Sequence, residues 1–426
     1  MTATTIPDAP AGTLATPPPG LRRQRDFRLL WSGSAVSAVG NEVTMLAIPL
    51  AAAVLLGASP LQMGLLTAAG TLPYLGLGLL AGVLVDRMPR RRPILVASDL
   101  LAAVVLLSVP VAWLLDALTV TQLVVVELAL GTVRVVFRPA YQAHLPDVVR
   151  REQLTLASGH LRAADSAAML GGPGLGGVLV QALSAPVAVF VDAISFIVSA
   201  VCIGRVRSPE RMDAEPGERR PIRSELVEGM QTVLRDRRLR AIAGCAANLN
   251  LFGMLITALF VVFATRDLGF PPGLVGGVVM AGGAGALAGA ILAPKVARRL
   301  GSGRTIVLAS IAFSVGMFPF AMAGGPVWLS FSVIALIESV FGVAVMLFDV
   351  TTAGLVLSVV PRERLGRVNA CMSFLTQGVK PIGALAGGAL GTTIGLRPAL
   401  WVAAVGATTT VLWTWFSPLR RPDDAV

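Results

Sequence analysis

Charged side chains recur at helical spacing inside long apolar segments of this chain. One face of a single α-helix would carry four residues spaced i, i+4, i+7 and i+11, namely Glu127, Gly131, Arg134 and Arg138. Glu42 lies near the middle of another apolar segment. A carboxyl group that is removed from water and faces an arginine can exchange a proton, so these residues predict proton transfer.

The second half of the chain repeats part of this pattern. Glu338, Gly342 and Asp349 keep the i, i+4 and i+11 spacing, and Lys380 lies in a further apolar segment. Because a charge in hydrocarbon costs several kcal/mol unless it faces a cavity or a partner, we expect these residues to line a pathway between helices. The alternative is structural ion pairing between the two halves.

The sequence shows no motif for metal binding, disulfide formation or nucleotide hydrolysis. His144 and His160 are too far apart for a helical metal-binding pair, and the three cysteines lie singly, which predicts neither a disulfide nor a metal site. The glycine-rich run at 273–285 lacks the lysine of a phosphate-binding loop. We therefore predict that the protein is not an enzyme, needs no cofactor and uses a proton gradient as its energy source.

Composition places the charged residues in a membrane protein. The chain is 55% hydrophobic and 14% charged, against roughly 25% charged in soluble domains. Apolar runs of about 20 residues are long enough to cross a bilayer as helices. The sequence predicts an all-α polytopic membrane protein with twelve such helices, near 28–56, 61–85, 94–115, 119–141, 157–182, 184–204, 239–265, 272–296, 303–323, 327–350, 367–392 and 397–417.

The sequence also contains an internal repeat. VVRREQL at 148–154 returns as VVPRERL at 359–365, an offset of 211, and Glu127 and Gly131 return as Glu338 and Gly342 at the same offset. One duplication of this length predicts two pseudo-symmetric six-helix bundles, the layout of transporters that bind substrate between their halves. The predicted organisation is a disordered cytoplasmic tail (1–24), a first bundle (25–204), a cytoplasmic linker (205–234), a second bundle (235–418) and a cytoplasmic tail (419–426).

The distribution of basic residues predicts the orientation. Of 35 Lys and Arg residues, 29 fall in the segments on the side of the termini, whereas the opposite loops hold only Arg266 and Arg397. The positive-inside rule then predicts a multi-pass protein of a bacterial-type plasma (inner) membrane with both termini in the cytoplasm. The net charge of +11 is explained by this topology, because the basic loops would contact anionic lipid of the inner leaflet. Nucleic acid is therefore not an expected partner.

Two motifs carry a family resemblance. GVLVDRMPRRRP at 82–93 resembles the short-loop signature of the major facilitator superfamily, which implies a cytoplasmic latch between the halves formed by Gly82, Asp86, Arg87, Arg90, Arg91 and Arg92. The alternative is that the arginines only set the topology. GGPGLGG at 171–177 resembles the antiporter motif of drug/proton antiporters in that superfamily through Gly172, Pro173, Gly176 and Gly177. With its counterpart at 380–388 it predicts a symmetric rocking interface, and simple small-residue packing is the alternative.

Further segments resemble one branch of this superfamily. GNEVTMLAIPL at 40–50, RPAYQAHLPDVVRREQL at 138–154 and FVDAISF at 190–196 resemble bacterial macrolide-efflux and enterobactin-exporter-like facilitators. In that fold the first, fourth, seventh and tenth helices line the central cavity. The resemblance implies a proton and substrate pathway along Asn41, Glu42, Glu127, Arg134, Arg138, Asn248, Asn250, Glu338, Asp349 and Lys380. Asp192, in a helix expected to be peripheral, receives no role.

Together these features predict a secondary active transporter. The function that fits best is proton-coupled export of an amphipathic small molecule, such as a drug, an antibiotic or a siderophore-like compound. Proton- or cation-coupled uptake of a nutrient is the alternative within this class. A non-transporting membrane receptor or a membrane enzyme is the alternative from another class.

Overall fold

The computed structural model describes residues 20–88, 90–209, 222–361 and 364–418, and within them it leaves out the side chains of Arg22 and of residues 79–87 and 222–227. These ranges contain fifteen α-helices and no strand. In chain order they are α1 (Arg25–Leu50), α2 (Pro60–Arg87), α3 (Arg92–Leu114), α4 (Val120–Val148), α5 (Leu154–Ala182), α6 (Ala185–Gly204), α7 (Ile222–Arg235), α8 (Arg237–Val262), α9 (Pro272–Leu300), α10 (Ser302–Gly316), α11 (Phe318–Met322), α12 (Val327–Val359), α13 (Leu365–Thr393), α14 (Leu396–Ala407) and α15 (Thr409–Trp415).

Twelve membrane-spanning segments form two bundles. By length and composition, eight segments of the described chain can cross a membrane, with α10 and α11 counted as one. Helices α2, α5, α13 and the α14–α15 pair complete the set. Helix α7 lies in the predicted linker and packs on α13, where Gly229 contacts the backbone of Arg367. The predicted all-α class with two six-helix bundles is confirmed.

Two predicted spans are broken rather than continuous. The span predicted at 303–323 divides into α10 and α11 at Met317, because Pro319 lacks a backbone N–H and cannot continue the preceding helix. The span predicted at 397–417 divides into α14 and α15 at Thr408. The hydroxyls of Thr408 and Thr409 there donate to the carbonyls of Val405 and Gly406, and such side-chain bonds compete with regular helix geometry.

The two bundles repeat the same packing. In the first, α1 packs on α5 and α6, α2 on α4, and α3 on α4 and α6. In the second, α8 packs on α13 and the α14–α15 pair, α9 on α12, and α10 on α12 and α15. Helices α1 and α8 also both end in a π-helical turn, at Ala51–Leu55 and Phe263–Asp267. The duplication seen in the sequence is therefore a duplication of helix contacts.

Two glycine crossings join the bundles. Gly64 of α2 faces Gly388 of α13, and Gly177 of α5 faces Gly276 of α9. A Cβ built on Gly64 would lie 2.8 Å from Gly388 Cα, and one on Gly177 would lie 3.1 Å from Gly276 Cα, so neither crossing admits a side chain. Both crossings lie near the arginine-poor face, defined as the face with the loops between α1 and α2 and between α8 and α9. The halves are thus in backbone contact at that face.

Candidate functional site

Arg134 is the centre of a polar cluster in the first bundle. Its Nε donates to Asn41 Oδ1 of α1 at 3.2 Å, and its Nη1 lies 3.8 Å from Glu127 Oε2, about two turns earlier on α4. The charge of Arg134 also acts on Glu42 and on Asp192. The structure therefore brings together four of the predicted residues, because the i, i+7 spacing places Glu127 and Arg134 on one face of α4.

Asp192 is part of this cluster, although no role was predicted for it. It lies in α6 with 1% of its surface exposed, and its Oδ1 accepts a hydrogen bond of 2.8 Å from Ser195 Oγ. The hydroxyl of Thr44 on α1 lies beside the same carboxylate. Gly40 of α1 leaves the space, since a Cβ there would overlap Asp192 Oδ1 and Ser195 Oγ. In the sequence, the only sign of this contact was a glycine on α1, Gly40, together with the Asp-x-x-Ser pair of Asp192 and Ser195 on α6.

Glu42 belongs to α1, and its side chain packs against α5. A Cβ on Gly172 of the antiporter-type motif would overlap the Glu42 side chain, and Gly176 approaches the backbone of Val43. Asp165 of α5 was not among the predicted pathway residues. It acts electrostatically on Glu42 and interacts with Arg138. Glu42 is thus held against a glycine face, within range of one cation and a second carboxylate.

The antiporter-type motif contacts two partners at once. Gly172 and Gly176 face α1 of the same half, whereas the Pro173 carbonyl and Gly177 face Gly276 on α9 of the other half. The counterpart in α13 is arranged in the same way, with Gly383 and Gly387 on α8 and Gly388 on α2. The helix assignment is continuous through Pro173. The motif therefore connects Glu42 of α1 with α9 of the other half through one helix.

Glu127 and Glu338 occupy equivalent sites in the two bundles. Glu127 Oε2 fills the space above Gly70 of α2, and Glu338 Oε2 that above Gly282 of α9, at 2.7 and 3.0 Å from a Cβ built on each glycine. The backbone of Gly131 approaches Gly70 in the same way as that of Gly342 approaches Gly282. The repeated spacing in the sequence therefore encodes a repeated contact.

The other charges of the cluster have apolar equivalents in the second half. Equivalent glycine contacts align the two halves with an offset of 211 residues for α4 and α6 and of 212 residues for α1. Arg134 then corresponds to Val345, Asp192 to Ala403 and Glu42 to Met254. Glu338 thus has no arginine at the place where Glu127 has Arg134. The two bundles share their packing and one glutamate, at Glu127 and Glu338, but not the other charges of the cluster.

The remaining predicted pathway residues are dispersed. Asp349 of α12 interacts electrostatically with Lys380 of α13, which forms a smaller charged pair in the second bundle. Asn248 Nδ2 donates to Thr409 Oγ1 of α15 at 2.6 Å, so this residue faces α15. Asn250 is two residues further along α8, which places it about 200° around the helix from Asn248. The structure therefore does not bring the two asparagines to the same side of α8.

The predicted latch is described only in part. The side chains of Asp86 and Arg87 and the surroundings of Gly82 lie outside the described part of the structure. Arg91 Nη1 donates to the carbonyl of Ala143 at 3.0 Å and lies 3.6 Å from Asp147 Oδ2, both at the end of α4. Arg92 donates to the carbonyl of Gly204 at the end of α6. These described contacts hold the loop against its own half, and Arg90 is exposed.

Comparison with known proteins agrees with this architecture. Residues 30–379 match the sequence profile of the Major Facilitator Superfamily. The chain belongs to this superfamily of membrane transporters, as the sequence motifs predicted. It is 30% identical over 388 residues to the multidrug efflux pump Tap of Mycolicibacterium fortuitum, covering 87% of this chain and 90% of that protein. It is 23% identical over 372 residues to macrolide efflux protein A of Streptococcus pyogenes, again covering 87% and 90%.

Solved structures show the same fold. A bacterial homologue of the iron transporter ferroportin in its inward-facing state superposes with a TM-score of 0.72 at 17% identity, covering 92% of this chain and 98% of that one. The outward-facing state of that homologue superposes with a TM-score of 0.57 at 19% identity and the same coverage. The fold of the two bundles is therefore shared with this homologue.

Proposed function

We propose that this protein exports an amphipathic small molecule across the plasma membrane in exchange for protons. The observation that carries the proposal is the cluster around Arg134, in which one arginine pairs with Glu127 and acts electrostatically on Glu42 and Asp192. Three carboxyl groups around one cation, away from water, favour a state in which protons neutralise part of the excess charge. Such a cluster can gain and lose protons as the halves move.

The relatives support export rather than uptake. Tap is named as a multidrug efflux pump and macrolide efflux protein A as a macrolide exporter, and both align over most of this chain. The second bundle has Met254 at the position that corresponds to Glu42 in the first, so the second half offers an apolar side chain where the first offers a charged one. This combination suits a bulky molecule that is mainly apolar and carries a polar or cationic group.

The test is substrate-linked proton movement in vesicles that contain the purified protein. The probes are a macrolide antibiotic and a cationic amphipathic dye, and lumenal pH is followed with a trapped indicator. We expect probe movement in one direction to drive protons in the other. Probe movement that does not respond to a pH gradient would contradict proton coupling, and movement of probe and protons in the same direction would favour nutrient uptake.

The orientation is part of the proposal. We place the arginine-rich face in the cytoplasm by the positive-inside rule, so the arginine-poor face with the two glycine crossings is external. Arg266 Nη2 bridges the halves there by donating to the carbonyls of Ala53 and Ala58, at 3.3 and 2.8 Å. Leu61 N also donates to Thr392 Oγ1 across the interface, at 3.0 Å. The structure then corresponds to a state closed to the outside.

Arg266→Gln should loosen this external closure. A cysteine at Ala68, which is 6% exposed and packs with Ala258 and Ala384 of the other half, reports opening in a background without the native cysteines. Because two hydrogen bonds from a charged group are lost, we expect an impermeant thiol reagent added to whole cells to label this cysteine about tenfold faster.

Arg397→Gln is the matched control for this experiment. Arg397 is at the same face, but it pairs with Asp267 of its own half at 3.7 Å, so its loss should leave the labelling rate unchanged. Equal acceleration in both variants would contradict a role for Arg266 in closing the interface. Labelling of a Ser59→Cys reporter only from the inside would reverse the proposed orientation.

A further inference from the structure

A groove opens between the first turn of α8 and the last turn of α15, away from the Arg134 cluster. Its volume is about 720 Å³. Arg237 and Arg240 line it from α8, while Trp413 and Phe416 line it from the α15 side. It lies at the arginine-rich face, on the outside of the second bundle. The proposed transport cycle makes no use of it.

The two arginines present free donors to this groove. They are three residues apart on α8, so they lie on neighbouring positions of one helical face, and both are exposed. Arg240 Nη1 donates to the carbonyl of Leu234 at 3.2 Å, which fixes its position. Among the described residues, the side chain of Arg237 has no hydrogen bond or ion pair. Planar guanidinium groups with unused N–H donors are suited to a phosphate group.

The opposite wall is aromatic and open. Phe416 is 82% exposed and Trp413 is 45% exposed. The Trp413 indole lies directly on Gly244 of α8, where a Cβ would overlap the ring, so the indole is held against α8. Large apolar rings next to two cations at a membrane surface match a ligand with an anionic head and a hydrocarbon tail.

We infer that this groove binds an anionic phospholipid. Its phosphate would lie between Arg237 and Arg240, and an acyl chain would run along Trp413 and Phe416. Basic pockets between helices at the cytoplasmic membrane surface bind lipid head groups by the same combination of charge and burial. Two other occupants are distinguished by the test below. Free phosphate would contact only the arginines. The segment 419–426, which lies outside the described residues, follows Pro418 at the rim of the groove and includes two aspartates that could pair with the arginines.

Native mass spectrometry of the purified full-length protein tests this inference. The probes are phosphatidylglycerol and, as a neutral comparison, phosphatidylcholine. Since each arginine near a membrane surface strengthens binding of anionic lipid, the double substitution Arg237→Gln with Arg240→Gln should weaken phosphatidylglycerol binding about thirtyfold. Binding of phosphatidylcholine should be equal in both proteins, and an unchanged thermal melting temperature shows that the double variant is folded.

Arg238→Gln is the matched control. Arg238 is exposed on the same turn of α8 but does not line the groove, so its loss should leave phosphatidylglycerol binding within about twofold. An equal loss in this variant would show non-specific attraction and overturn the proposal. Displacement of the lipid by millimolar inorganic phosphate would also overturn it. A chain ended at Pro418 that binds the lipid when the full-length chain does not would assign the groove to the C-terminal segment instead.

Discussion

Glu42→Gln should abolish accumulation driven by a pH gradient while preserving substrate exchange. The amide keeps the shape of the side chain against Gly172 but cannot carry a proton, whereas exchange at equal concentrations needs no net proton movement. In vesicles we expect gradient-driven accumulation to fall at least about tenfold and counterflow to stay within about twofold.

Glu338→Gln is the control for this prediction. Glu338 packs on Gly282 as Glu127 packs on Gly70, but no arginine occupies the position that corresponds to Arg134. Its substitution should leave most gradient-driven accumulation intact. A parallel fall of accumulation and exchange in Glu42→Gln would make Glu42 a substrate-binding or structural residue. Coupling lost in Glu338→Gln alone would move the proton pathway to the second bundle.

Among the substitutions proposed for this protein, Arg134→Gln should lower the free energy of unfolding most. It removes the cation that lies 3.8 Å from Glu127 and that also acts on Glu42 and Asp192. The Arg134 side chain is 27% exposed, so its loss should cost less than the roughly 3–5 kcal/mol typical of a fully buried ion pair, but the Glu127 carboxylate would stay buried without compensation. We expect a lower melting temperature in detergent and loss of gradient-driven transport.

A second substitution separates these two effects. Adding Glu127→Gln to Arg134→Gln removes the carboxylate that was left uncompensated, so the double variant should recover most of the lost stability but not the transport. Arg138→Gln is the control for stability, because Arg138 is exposed on the same side of α4 and should change the melting temperature little. A melting temperature that Arg134→Gln does not change would contradict the central place of this arginine.

Much of the fold could be predicted because membrane helices follow hydropathy and the two halves repeat. The spacing on α4 also predicted the Glu127–Arg134 pair, since both residues belong to one helix. The breaks at Met317 and Thr408 escaped prediction, because hydropathy does not register a local loss of backbone hydrogen bonds.

The residues that surround Arg134 were harder to predict than Arg134 itself. Asp192 and Asp165 reach the cluster through packing of α6 and α5 on α1, and sequence spacing within one helix carries no information on such contacts. Asn248 shows the opposite case. Its helix lines the expected cavity, but the residue is rotated toward Thr409 of α15. Membership of a cavity-lining helix does not determine the direction of each side chain.

The paired glycine crossings have a consequence for the kinetics of the transport cycle. Gly64–Gly388 and Gly177–Gly276 lie on opposite sides of the same interface and are related by the repeat. A rigid rotation of one bundle against the other separates both crossings together, whereas parting only one would require a bundle to deform. The external gate should therefore open in a single step, with a barrier set by the sum of the two contacts and with few half-open molecules at any time.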